Sequence, residues 1–172
     1  MGTTTPTPFL RIRRLPPQHR CRSGIPESHG RLHPRLSKSD QLAITAAISL
    51  YAYGALHGQQ NYAQKAQDCV TDTYTNGRGT DAPGSSATRF IYNYHNDSSW
   101  GTIFNFFPNA PLDLNNFPAS AVSMQCDWCT KQKTSIGIPY ASAIEDEANG
   151  MWEMWVAATC PGALQETISG HF

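Results

Sequence analysis

The sequence predicts a mainly β fold: a small β-rich or α+β domain stabilised by two disulfides, preceded by a disordered basic leader and an apolar helix. Three observations predict it. Short runs rich in β-branched and aromatic residues alternate with turn-forming pairs from Val70 onward. Four of the five cysteines, Cys69, Cys126, Cys129 and Cys160, fall in the same stretch. Charge divides the chain beside its most apolar run: residues 1–40 hold eight basic and two acidic side chains (8 − 2 = +6), and the rest hold five basic and eleven acidic (5 − 11 = −6).

Residues 1–40 form the leader. Six prolines there (Pro6, Pro8, Pro16, Pro17, Pro26, Pro34) and a high Arg, Ser and Gly content leave too little apolar surface to offset chain entropy, so disorder is expected. The prolines also break the amphipathic helix that a mitochondrial presequence needs. No nucleic-acid partner is expected, since charge alone points to one.

Residues 41–58 come next. Between Asp40 and Lys65 no charged side chain occurs, and the centre reads LAITAAISLYAYGAL, Leu42 to Leu56. A basic stretch followed by a short apolar one is the order of a secretory signal, with cleavage after Gly58 or Ala55. The run is short of the ~20 apolar residues that cross ~30 Å of hydrocarbon. A membrane anchor through residues 42–56, if uncleaved, is the alternative, and a buried core helix is a third reading of the same composition.

Residues 59–172 form the predicted secreted, disulfide-bonded domain. Its cysteines suggest Cys69 and Cys160 each bonded to one of the central pair, because a Cys126–Cys129 bridge would close a very short loop. A thioredoxin-like redox pair at Cys126-Asp-Trp-Cys129 lacks the βαβ context that such a motif needs. No metal or cofactor is expected, as no His lies at ligand spacing from a cysteine pair.

Val70 to Thr75 alternates and ends at Asn76-Gly77, a turn signal, with a Gly, Ser and Pro-rich loop from Arg78 to Ala87 after it. Arg89 to Tyr94 and Trp100 to Phe107 flank a turn at 95–99 and predict a hairpin. Pro108 to Pro118 reads as a long loop and Ala121 to Cys126 as a strand. Asn149-Gly150 marks another turn. Ser142 and Glu145 form a potential capping box, giving a short helix before it and a strand from Met151 to Ala158.

Chemistry-bearing residues are few. His95, Arg89 and the acids Glu145 and Glu147 are the weak catalytic candidates. Trp128, Asp127 and Trp100 are the binding candidates, because an indole beside a carboxylate suits a sugar ring or a partner pocket. Asn96-Asp97-Ser98 is a glycosylation sequon on the predicted turn. In leader, length and cysteine number the chain resembles the small secreted cysteine-containing proteins of fungi, some of which act as effectors. These features lead to a secreted monomer that binds an extracellular protein or glycan. The alternative is a small extracellular hydrolase, ribonuclease- or glycosidase-like.

Overall fold

The computed structural model describes residues 40–169, and they are helical rather than β-rich. The order is α1 (Asp40–His57), α2 (Gln60–Val70), α3 (Asn109–Leu112), α4 (Ala119–Lys131), β1 (Pro139–Ala141), β2 (Ile144–Ala148), α5 (Gly150–Thr159) and α6 (Gly162–Ser169). The two strands form one antiparallel pair, and no other sheet occurs among the described residues. The leader lies outside the described residues.

The apolar run of residues 42–56 is the first helix, and it is core. Ile44, Ala47 and Ile48 are buried in the larger hydrophobic cluster with Val70, Phe90, Ile103, Phe106 and Phe117. Gly58 ends the helix at φ 63, a left-handed turn that glycine adopts without a Cβ penalty, and Gln59 N donates to Gly54 O at 2.8 Å to close it. The chain then doubles back as α2, so α1 and α2 make a helical hairpin. No helix among the described residues is long and apolar enough to cross a membrane.

The predicted strand at Val70–Thr75 is instead the end of α2 followed by a π-helical turn, Thr71–Thr75. Its inward residues, Ala66, Cys69, Val70, Thr73 and Tyr74, keep a helical spacing that outweighs the local alternation. Ala121–Cys126 is likewise helix. Within α4 the buried positions are Ala121, Gln125, Cys126 and Cys129, one face of a 3.6-residue period.

The hairpin expected from 89–94 and 100–107 does not form, because each segment bonds elsewhere. Trp100 and Thr102 pair with the β1 side: Thr102 N donates to Tyr140 O and Ser142 N to Trp100 O, both at 2.9 Å. The Gln125 side chain stands between the two segments, accepting from Phe90 N at 2.9 Å and donating to Gly101 O at 3.0 Å. Ser142 Oγ accepts from Trp100 N and does not cap a helix.

Around Asn149-Gly150 the expected order is reversed. Ile144–Ala148 is strand and Gly150–Thr159 is helix. Asn149 is the N-cap: its Oδ1 accepts from Met151 N at 3.1 Å and Trp152 N at 3.2 Å, satisfying two donors that the first turn leaves open. The expected loop Pro108–Pro118 contains the short α3.

The sulfur arrangement also differs. Cys126 and Cys160 are bonded, with Cα atoms 5.7 Å apart, while Cys129 is a buried free thiol. Cys69 is disulfide-bonded, but not to Cys129. The two-bridge set among Cys69, Cys126, Cys129 and Cys160 is therefore corrected to the one Cys126–Cys160 bond. The reason is helical geometry: Cys129 faces inward into the second cluster with Ile138, Val156, Ala157 and Ile168, whereas Cys69 packs in the first.

Candidate functional site

The Cys126–Cys160 bond pins the end of α5 to α4 and frames a cavity of about 310 Å³. Its apolar wall is Phe106, Phe117 and Val122, and its polar wall is Asn109, Asn115, Ser123 and Thr159. Each is placed by a local feature. Pro118 opens α4, so Val122 and Ser123 sit one turn inside it. Asp113 and Asn115 adopt left-handed conformations, φ 48 and 49, and Asn115 Nδ2 donates to Asp113 Oδ1 at 2.8 Å, which folds the rim. Thr159 Oγ1 donates back to Trp155 O at 3.0 Å and Val156 O at 2.8 Å, fixing its rotamer.

The lining carries no ionisable group. Its polar atoms are side-chain amides and hydroxyls, which can both donate and accept. Asn109 Oδ1, in the lining, is buried without a hydrogen-bond partner, as are both polar side-chain atoms of Asn116 outside it. An orphan amide costs about 1–3 kcal/mol. Such a cavity can hold an uncharged polar group with an apolar stem.

Beside it runs a strip of half-buried rings. Phe107 stacks on Trp155 at 5.6 Å between centroids, and Phe104 stacks on Trp152 at 4.4 Å. Tyr140 continues the strip 4.8 Å from Trp152, with Tyr92 beyond it. Burial, with the hydrogen bond it shares with Tyr92, pushes the Tyr140 hydroxyl up to about 12.

The residues singled out from sequence lie apart from the cavity. His95 is exposed on a turn at φ 65, and Glu145 and Glu147 are exposed on β2. No hydrogen bond or ion pair joins these three to one another or to Arg89 among the described residues. Arg89 is a clamp: Nη1 bonds Asp81 at 3.0 Å, Nε donates to Ser99 O, Nη2 donates to Asp97 O, and the guanidinium covers the Trp128 ring at 4.6 Å. Burial raises the Asp81 carboxyl, but hydrogen bonds from Thr88 and Arg89 N, with the Arg89 charge, outweigh it and hold the group below its ordinary 3.8.

Trp128 is thus half-buried under Arg89, and Trp100 is buried against it with centroids 6.3 Å apart. Asp127 is exposed. These three do not form an open binding surface. Asn96 is exposed, with Ser98 Oγ donating to its Oδ1 at 2.6 Å. No group of three or more His, Cys, Asp or Glu suited to a metal occurs among the described residues. The cavity residues come from separate stretches of sequence: Asn109, Asn115 and Phe117 lie in the segment read as an irregular loop, where only the density of Asn gives any signal, whereas Phe106, Val122 and Ser123 lie in segments read as strands and Thr159 beyond them.

The second buried centre surrounds Cys129. Burial pushes its thiol up to about 12 despite a contact from Gln125 Nε2 at 3.7 Å and a bond from Ile103, and the nearby Glu153 charge adds to the rise. A thiol so held is packing rather than a nucleophile.

The α1–α2 and α5–α6 pairs make this a helical-hairpin protein. The family of the glutaminase A six helical-hairpin domain matches residues 30–171, and the chain belongs to that family. No curated protein and no solved structure matches it.

Proposed function

We propose that the chain is the helical-hairpin part of a glutaminase A-type amide hydrolase, and that the 310 Å³ cavity receives the carboxamide end of the substrate. The family match over residues 30–171 carries this reading. The reaction adds water across the C–N bond of the glutamine side chain, giving glutamate and ammonia. The cavity chemistry supports it. A primary carboxamide both donates and accepts, as do Asn109, Asn115, Ser123 and Thr159, and its methylene stem suits Phe106 and Phe117. The charged α-carbon end would stay outside, in water.

The Cys126–Cys160 bond supports an oxidising, extracytosolic compartment for this activity. The aromatic strip supports a glycan ligand less well, since Phe104 and Trp152, and Phe107 and Trp155, stack on one another and present edges rather than free faces.

The test is ammonia release from L-glutamine by the full chain, with Asn109→Leu as the cavity variant. Saturable release, with KM raised in the variant, is the expected result. No release at any glutamine concentration refutes the proposal.

A further inference from the structure

The turn at residues 95–98 belongs neither to the cavity nor to the core. His95, Asn96, Asp97 and Ser98 are consecutive exposed residues, and the chain returns at once to the interior with the buried Ser99 and Trp100. None of the four lines the cavity. Asn96-Asp97-Ser98 is also the one Asn-x-Ser/Thr triplet in the sequence.

The turn is held from beneath. Ser99 Oγ accepts from Tyr92 N and Asn93 N, both at 3.1 Å, and donates to Asn96 O at 2.6 Å. Asn96 N donates to Asn93 O at 3.1 Å, and Ser99 N to Asn96 O at 2.9 Å. Arg89, paired with Asp81, donates through Nη2 to Asp97 O. Every one of these bonds to residues 96 and 97 holds a main-chain atom, so the backbone of the triplet is fixed without using the Asn96 side chain. Ser98 Oγ donates to Asn96 Oδ1 at 2.6 Å. The hydroxyl of the triplet's third residue therefore binds the amide by its oxygen and leaves Nδ2, the atom that takes a sugar, out of that bond.

We propose that Asn96 carries an N-linked oligosaccharide. Nδ2 attacks the anomeric carbon of an oligosaccharide held on a lipid diphosphate. The C–O bond to the diphosphate breaks, the diphosphate leaves with the electron pair, and Nδ2 gives up one proton. A glycan is bulky and hydrated, so the folded chain accommodates it only at a surface where no side-chain packing is lost, as at Asn96. Transfer takes place in the secretory route, where disulfides also form, and the Cys126–Cys160 bond supports that route. The inference shares with the proposed function only the extracytosolic compartment and does not depend on glutamine hydrolysis.

The test is the full chain, placed behind a host signal peptide and secreted from a eukaryotic host. Intact mass and peptide mapping are read before and after digestion with peptide-N-glycosidase. A single mass step lost on digestion, with residue 96 then read as Asp, is the expected result. Asn96→Gln and Ser98→Ala should each abolish the step, and Ser98→Thr should keep it; should one of the first two fail to fold, the other decides. A secreted chain with an unmodified Asn96 amide overturns the proposal, as does a step that survives Ser98→Ala or a chain that the host retains unmodified. Ammonia release from L-glutamine should be the same for Asn96→Gln as for wild type, so a glycosylated chain without that activity sinks only the hydrolase reading.

Discussion

Truncating Ile44 and Ile48 separates a helix that belongs to the core from one destined for removal. Ile44 is fully buried and Ile48 is 4% exposed, both in the cluster centred on Phe90. An Ile→Ala change at such sites costs about 2–5 kcal/mol, the transfer term plus a cavity that neighbours only partly fill. Against a total stability of about 5–15 kcal/mol, each single variant removes a substantial fraction and the double variant most of it. The two residues sit one turn apart in α1, so their effects should couple rather than add strictly. With a urea slope of about 2 kcal/mol/M, a loss of about 3 kcal/mol moves the midpoint down by about 1.5 M. Tryptophan fluorescence reads this directly. Leu56, 81% exposed on the same helix, is the control, and Leu56→Ala should cost less than about 0.5 kcal/mol. A chain beginning at Gln59 loses all of α1 and should not fold cooperatively. An Ile48→Ala midpoint equal to wild type, or a product of residues 59–172 that melts at the full-length temperature, would refute this place for α1 in the core.

Cys160→Ser opens a bridge spanning 34 residues and should cost about 4 kcal/mol by loop entropy, measured by urea titration with and without reductant. Cys129 should resist iodoacetamide in the native state and label only on unfolding, because burial holds its thiol near 12; rapid native labelling, seen by peptide mass mapping, would contradict this. The Asp81 carboxyl has a folded-state pKa below its unfolded one, so its stabilisation is complete above about pH 4 and is lost as pH falls through the folded value. Asp81→Asn should therefore flatten the acid limb of a stability profile and leave its slope above pH 5 unchanged. Gly137 sits at φ 111 with the Glu153 carboxylate where a Cβ would stand; Gly137→Ala should cost about 1–3 kcal/mol in the same titration, and a neutral outcome would show that the carboxylate can move aside.

The sequence shows some parts of this structure plainly and hides others for a common reason. Turn signals are local, so Asn76-Gly77 and Asn149-Gly150 do mark boundaries. Which element lies beyond each boundary depends on tertiary partners. Asn149 caps a helix because its side chain bonds Met151 N and Trp152 N, a role the same dipeptide conceals when read as a hairpin turn. Val70 to Thr75 and Ala121 to Cys126 alternate over five or six residues, yet their burial follows 3.6, which only the longer window 119–131 displays. The aromatic segments near Phe90 and Ile103 look like a hairpin because the residue supplying their bonds, Gln125, is far away in sequence. The cavity was the least legible feature, since Asn109, Ser123 and Thr159 converge only once Cys126 and Cys160 have joined α4 to α5.

The two most misleading helices, α1 and α5, share one property. Neither has the polar face that identifies a globular surface helix, so α1 imitates a segment that enters a membrane and α5 imitates a strand with two apolar sides. In a two-layer domain this would be a folding hazard. Here each buries one stripe and leaves the other uncharged at the surface. The uncharged run of residues 41–58 thus has a physical explanation in the burial of Ala43, Ile44, Ala47 and Ile48 on the inner side of α1, and export is not needed to account for it. Charge introduced on the inner face of α1 should accordingly unfold the chain, whereas charge at the exposed Met154 should leave it folded.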